Sequence, residues 1–378
     1  MVKQPIADGF RDRKLAERLV AKIRELVPAG RTLRLMEVCG THTMAISRTG
    51  IRSALAGKVD LISGPGCPVC VTAAEDIDRM IACADLPNTT VTTFGDMMRV
   101  PGSRRSLEEA RAAGAKVQVV SSPATAVELA KTDRQRNVVF LGVGFETTAP
   151  TVAMSVAAAE EAGLDNFCIY SAHKRIEPAM GALLQDPGVT LDGFICPGHV
   201  AVVLGRQGFE FLAKRFHFPA VVAGFEPVDI LAAILELVTM WHTGQPAVVN
   251  AYGRVVREEG NRDAREMIER FFVADDSEWR GLGFIADSGL FLRQEYERFD
   301  ARRLLDSVPV TAEDRERKKL LAACRCGDVL KGKIKPLDCP LFASRCQPED
   351  PVGPCMVSSE GACAAYFRFE RGQGGRNG

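Results

Sequence analysis

Thiols are the side chains of this sequence most able to do chemistry, and half of them crowd into its tail. Of twelve cysteines, Cys324, Cys326, Cys339, Cys346, Cys355 and Cys363 fall within forty residues, CRCGDVLKGKIKPLDCPLFASRCQPEDPVGPCMVSSEGAC. This segment is too polar and turn-rich to fold on apolar burial alone, so its thiols imply a metal that ties it together. Structural zinc is usually held by cysteine pairs with two to four residues between them. The nearest pair here, Cys324 and Cys326, has one. The irregular spacing and the Cys339-Pro340 step favour a 4Fe-4S cluster, with zinc and a reduced structural segment as the alternatives.

A second group of thiols is the CxxC pair Cys67 and Cys70 in LISGPGCPVCVTAAE, which follows an apolar run. Thr72 and Glu75 have capping-box spacing, so a helix is expected to open beside the pair. A helix start lowers a thiol's pKa, as redox-active pairs require. Half of a zinc site is the alternative, although no second CxxC completes it. Cys39 closes the run LRLMEV and is followed by Gly40, with no side chain to obstruct a partner, and by His42. A thiolate and an imidazole three residues apart suit ferrous iron or zinc. Taken alone, a packed cysteine and a backbone-bonded His42 is the simpler reading. Closeness to the CxxC pair and the tail would instead make Cys39 the end of an electron path.

Glu146, Thr147 and Thr148 in GFETTAP, with Pro150 near a first helical turn, suggest a helix cap or an anion site. GVGFET carries only two of the three glycines of a dinucleotide fingerprint, so nucleotide is not expected. His199 in CPGHV is a further polar candidate. Cys83, Cys168 and Cys196 lie in apolar contexts and are expected to be packing residues.

Elements must hold these residues in place. From Arg31 to Phe225 short apolar runs (LRLMEV, VDLIS, NTTVTTF, KVQVV, NVVFLGV, FCIYSA, LDGFI, FPAVVAG) alternate with helical patterns. That alternation predicts an α/β protein of parallel sheets with helical crossovers. Several runs end in a glycine-rich turn that opens a helix, the edge at which such sheets bind ligands. A weak repeat sets CGTHT, GPGCPVC and FGD against GFETT, CPGHV and GFEP, and coincidence explains it nearly as well. From Pro227 to Arg298 the pattern turns helical apart from an extended piece at AVVNAYGRVV, and AEDRERKKLLAA predicts a solvated helix. The chain thus divides into an N-terminal helical segment (1–30), a first α/β domain (31–122), a second with a helical extension (123–310) and a cysteine-rich module (311–378). Lys plus Arg and Asp plus Glu both number 48, so no net field gathers nucleic acid or a membrane surface. The sequence offers neither an export-type apolar stretch nor a membrane span, which predicts a cytoplasmic location with reduced thiols.

The blocks CGTHT, GPGCPVC, GFETTAP, CPGHV, GFEPVDIL and CMVSSEGACAAY follow one another from Cys39 to Tyr366. Together they resemble the signature blocks of the HypD family of NiFe-hydrogenase maturation proteins. The resemblance implies two Rossmann-like α/β domains and a small iron-sulfur module whose setting is similar to ferredoxin-thioredoxin reductase. It also implies a HypC-like chaperone as partner, a HypE-like cyanide donor, and iron (Fe2+) held while an Fe(CN)2CO unit is built for a hydrogenase large-subunit precursor. Carried onto this sequence, Cys39 is the iron ligand, His42 a helper, and Cys67 and Cys70 the redox pair and further candidate ligands. The family's cluster spacing of fourteen, six and sixteen intervening residues matches Cys324, Cys339, Cys346 and Cys363 and leaves Cys326 and Cys355 free. The expectation is an assembly scaffold with redox activity rather than a turnover enzyme. An iron-sulfur dithiol reductase acting on a partner's disulfide, or a zinc-stabilised binding module, are the competing classes.

Overall fold

The computed structural model describes residues 12–305 and 315–371. Its apolar runs form strands β1 (Leu33–Glu37), β2 (Val59–Ser63), β3 (Thr89–Thr93), β4 (Val117–Val119), β5 (Asn137–Gly142), β6 (Phe167–Ser171) and β7 (His173–Lys174). They continue with β8 (Gly193–Pro197), β9 (Ala220–Ala223), β10 (Val248–Asn250), β11 (Phe272–Trp279) and β12 (Gly283–Leu292). One sheet has the order β10-β9-β8-β1-β2 and a second the order β4-β3-β5-β6, and every pairing in both is parallel. Continuous burial of strands such as β6, β8 and β9 follows from helices covering both faces. A third, antiparallel sheet has the order β11-β12-β7. The α/β class with parallel sheets is therefore the observed one.

The chain distributes its strands otherwise than its linear order suggests. After β2 it leaves the first sheet, lays down β3 to β6 in the second, and returns to the first at β8. The sheets do not coincide with segments 31–122 and 123–310, because β3 and β4 share a sheet with β5 and β6. Apolar periodicity reports that a strand is buried, not which strand lies beside it. The suspected repeat dissolves for the same reason. CGTHT, GPGCPVC, CPGHV and GFEP all leave the first sheet, while FGD and GFETT leave the second.

The helical extension is also corrected. The helices Pro227–Thr243 and Arg262–Phe271 are present, but residues 272–292 form the long hairpin β11–β12. Its alternation is broken by a register shift between Asp275 and Ser277 and by charges on the exposed face, which hid it. In the N-terminal segment the helix Arg13–Leu26 is capped by Asp12 and packs on the helix Pro227–Thr243. Residues 306–314, where the cysteine-rich module was expected to begin, lie outside the described ones. That module is not a separate body. Its Leu330, Val352, Cys355 and Met356 belong to one buried cluster with Met36, Ile62, Cys67 and Cys70. No helix among the described residues is long and apolar enough to cross a membrane.

Candidate functional site

In a parallel sheet the chain exits toward opposite sides where its strand order reverses, and the crevice at that point binds ligands. In the first sheet this point lies between β1 and β8, since β2 follows on one side and β9 and β10 on the other. Cys39 stands at the exit of β1, as N-cap of the helix Gly40–Thr49. The exit of β8 opposite supplies Gly198 and His199. Cys39 is 6% exposed. Burial pushes its thiol up to about 12, the carboxylate of Glu360 adds to this, and the backbone N–H groups of His42 and Thr41 draw it partly back.

Behind Cys39 sits Glu37, a residue not among the expected site residues. Its carboxyl group is fully buried and accepts from the Cys39 N–H at 3.1 Å and from the Thr43 hydroxyl. Burial raises it to about 7. An acid inside the apolar run LRLMEV, two residues before a cysteine, was the signal available. His42 is equally buried. Its Nε2 donates to the Gly224 carbonyl at 2.9 Å and its Nδ1 has no partner among the described residues. This tautomer follows from the carbonyl being only an acceptor. The Phe225 ring lies between two imidazoles, with centroids 4.7 Å from His42 and 4.1 Å from His199.

The turn after β2 carries the CxxC pair to the same place. Cys67 and Cys70 form a disulfide with Cα atoms 5.3 Å apart. Cys67 caps the short helix Pro68–Val71, and its sulfur accepts from the Cys70 N–H. The expected capping box is not formed: the Thr72 hydroxyl donates to the Pro68 carbonyl, and the helix Ala74–Ala82 starts after an uncapped Ala73. Contact with Cys39 is made through Gly66. A Cβ there would stand 2.1 Å from Cys39 N and 2.4 Å from Cys39 Cα, so only glycine lets the two motifs touch.

Gly40 has a different reason from the one expected. The space beside it is filled by this chain's own Glu360, whose Cβ would lie 2.4 Å from a Cβ at position 40. The Glu360 carboxylate accepts from the Thr41 hydroxyl at 2.7 Å. Its loop is anchored on the second sheet, where Asp96, at the exit of β3, accepts from the Ser358 and Ser359 hydroxyls and the Ser359 N–H at 2.9–3.1 Å. The exit of β3 borders β5, the reversal point of that sheet. One loop, SSEG, therefore joins the carboxyl edges of both parallel sheets.

The six tail thiols line one cavity with Val329, Leu341, Phe342, Gly353 and Met356. The helix Pro354–Val357, bearing Cys355, packs on the CxxC helix, and the helix Ala362–Phe369, bearing Cys363, packs on the Cys39 helix. The Cys324 and Cys355 thiols donate to Cys326, which holds Cys326 well below an ordinary thiol, and the Arg280 guanidinium pulls the same way. The Cys346 sulfur accepts from the Val352 N–H at 3.3 Å. Six soft donors around an apolar-walled space fit an iron-sulfur cluster. Among the described residues no three His, Cys, Asp or Glu side chains converge as for a single ion. A cubane does not require it, because its thiolates reach different irons. Cys326 and Cys355, expected to be free, face the same cavity as the four expected ligands.

The remaining candidates separate from this site. Thr148 precedes the helix Ala149–Glu161 but makes no side-chain cap, and Glu146 is buried, accepting from the Ile176 N–H at 3.0 Å. Cys83, Cys168 and Cys196 are buried, as their apolar contexts predict.

Known proteins match along almost the entire length. A model of the HypD family, described as "Hydrogenase formation hypA family", matches residues 14–370. The chain is 43% identical over 370 residues to the hydrogenase maturation factor HypD of Escherichia coli (strain K12), covering 96% of this chain and 98% of that one. The HypD proteins of Rhizobium leguminosarum bv. viciae and Cupriavidus necator are 43% and 42% identical over 372 residues each, covering 96% of this chain and 95% and 97% of theirs. A match this long, carrying with it the blocks that meet at the two sheet edges, means that the chain belongs to the HypD family of hydrogenase-formation proteins.

Proposed function

We propose that, within the hydrogenase-maturation role its family membership supports, this chain is a cytoplasmic iron-sulfur scaffold. With a HypC-like chaperone it holds one iron while cyanide from a HypE-like donor and carbon monoxide complete an Fe(CN)2CO unit destined for a hydrogenase large-subunit precursor. The observation that carries this reading is the convergence of Cys39 and the CxxC turn, backbone against backbone at Gly66, beside a cavity of six thiols.

The iron is cargo, and Cys39 is its ligand. Soft, electron-rich thiolate favours the low-spin iron that cyanide and carbon monoxide stabilise. Glu37 and Thr43 fix the turn that presents the sulfur, and ferrous iron displaces the thiol proton as it binds. His42, locked by Gly224, keeps a lone pair on Nδ1 as a helper. Cys67 and Cys70 cycle between disulfide and dithiol next to the cargo. Cys324, Cys339, Cys346 and Cys363 would hold a 4Fe-4S cluster, which when bound supplies electrons one at a time. The dithiol-reductase alternative fits less well, because Cys67 is 3% and Cys70 0% exposed and exchange with a partner's disulfide needs access to the attacking sulfur.

The test is Cys39→Ala. It is expected to keep the tail's iron and acid-labile sulfide while losing the extra iron and the infrared bands of bound cyanide and carbon monoxide in the complex with the HypC-like chaperone. Cys39→Ser is expected to do nearly as badly. Bands of wild-type intensity in Cys39→Ala would move the iron to Cys67 and Cys70.

A further inference from the structure

The hairpin β11–β12 takes no part in the chemistry above, yet its tip stands between the two groups of thiols. On one side Trp279 forms an antiparallel bridge with Thr72, directly after the CxxC helix. Arg280 then donates its N–H to the Val71 carbonyl at 2.8 Å and its Nε–H to the Thr72 carbonyl at 3.0 Å. On the other side Gly281, at φ +79°, lies on the helix Cys326–Leu330. A Cβ at Gly281 would stand 2.2 Å from the Cα of Gly327, the residue after Cys326. The tip is held rigidly. Trp279 is fully buried, its indole N–H donates to the Ser288 hydroxyl at 2.8 Å, and its ring stacks on Phe145 at 6.0 Å.

A half-buried guanidinium is thus held on the CxxC turn, in a hairpin tip whose next residue rests on the helix bearing Cys326, and its charge acts on the Cys326 thiol. Among the described residues it forms no ion pair, whereas Arg325 beside the same cavity is paired with Asp328. Net charge and hydrogen bonding around a cluster set its reduction potential. A fixed cation favours the state that has gained an electron, and a partly dry site transmits its field further than water would. We propose that Arg280 is a positioning residue that locks the CxxC turn to the cysteine cavity and, by its fixed charge, raises the reduction potential of the cluster held there. This rests on the cluster reading above. Reduction adds one electron from an external donor such as dithionite and breaks no bond.

The experiment is a redox titration, followed by visible and electron paramagnetic resonance spectra, of anaerobically purified full-length wild type, Arg280→Lys, Arg280→Gln and Arg280→Met. Gln keeps a donor for the Thr72 carbonyl and Met keeps an apolar stem, so a folding failure of one leaves the other. Both neutral variants are expected to shift the reduction equilibrium about tenfold toward the oxidised form, 59 mV for one electron, with Lys close to wild type. A neutral variant that retains its iron and sulfide and titrates with wild type overturns the proposal. So does a Lys variant shifted as far as the neutral ones. Wild type without iron and sulfide sinks the cluster reading and this inference with it, which separates the two failures.

Discussion

Gly66→Ala tests whether the CxxC turn and Cys39 act as one unit. An added Cβ would stand 2.1 Å from Cys39 N, 2.2 Å from Val38 C and 2.4 Å from Cys39 Cα, all backbone atoms that cannot rotate away. To open these gaps to the 3.4 Å at which ordinary contact begins, the turn must lift off the exit of β1. That movement breaks the bond from the Gly40 N–H to the Gly66 carbonyl at 3.2 Å. Overpacking of this kind costs about 1–3 kcal/mol, and the lost hydrogen bond about 1 kcal/mol more. A fold with roughly 5–15 kcal/mol of stability survives that. On the function proposed above, assembly is hit harder, because a misplacement of about 1 Å between groups that act together costs on the order of a hundredfold in rate. The expected result is a lowered urea midpoint, tail iron and sulfide at wild-type level, and cyanide and carbon monoxide bands that grow about a hundredfold more slowly. Bands growing at the wild-type rate in a protein of unchanged midpoint would refute the reasoning.

Three other outcomes are expected. Cys339→Ala should lose the tail's iron and sulfide while Cys326→Ala keeps them; the reverse pattern would reassign the ligands within the six-thiol cavity. Alkylation and mass spectrometry should find a two-proton difference confined to Cys67 and Cys70 between oxidised and reduced protein, and thiols there that stay alkylatable under every mild oxidant would leave only a ligating role. Burial, helped by the Lys174 charge, holds His173 down at about 3, so between about pH 6.5 and 3 the unfolded chain takes up a proton that the native one refuses. Stability should fall with pH across that window by up to about 1.4 kcal/mol per unit, and His173→Gln should flatten the slope; parallel urea midpoints for the two proteins would clear His173 of the effect.

What the sequence disclosed were the residues and the edges on which they sit. LRLMEVCG and LISGPGC announce a strand, a turn and a thiol, and each is found so. Their company could not be read, because it depends on strand order. Cys39 gains its meaning from lying where β1 meets β8, a neighbour more than 150 residues away in sequence. Glu360 and Asp96 were legible only as parts of motifs, since their partners, Thr41 and the Ser358–Ser359 hydroxyls, come from the opposite end of the chain. The hairpin β11–β12 was missed because its exposed face carries Asp275, Asp276 and Glu278, which masks the period-two pattern.

The helix start expected to activate Cys67 and Cys70 does not have that effect at Cys39. A helix start favours a thiolate, and Cys39 does cap a helix, but such a dipole contributes at most about 2 kcal/mol. Burial, with Glu360 beside it, carries Cys39 from the ordinary 9.0 up to about 12, on the order of 4 kcal/mol in the opposite direction. Desolvation wins, so at neutral pH the thiol keeps its proton and is a poor nucleophile. That suits a ligand better than a redox catalyst. On the proposed function, a sulfur that is inert until a cation displaces its proton would avoid oxidation between rounds of assembly, although a disulfide lies against its own backbone. On the function proposed above, the division of labour follows from environment: Cys67 and Cys70 are within bonding range of each other, whereas Cys39 sits beside Glu37 and Glu360, which hold its proton on until a metal displaces it.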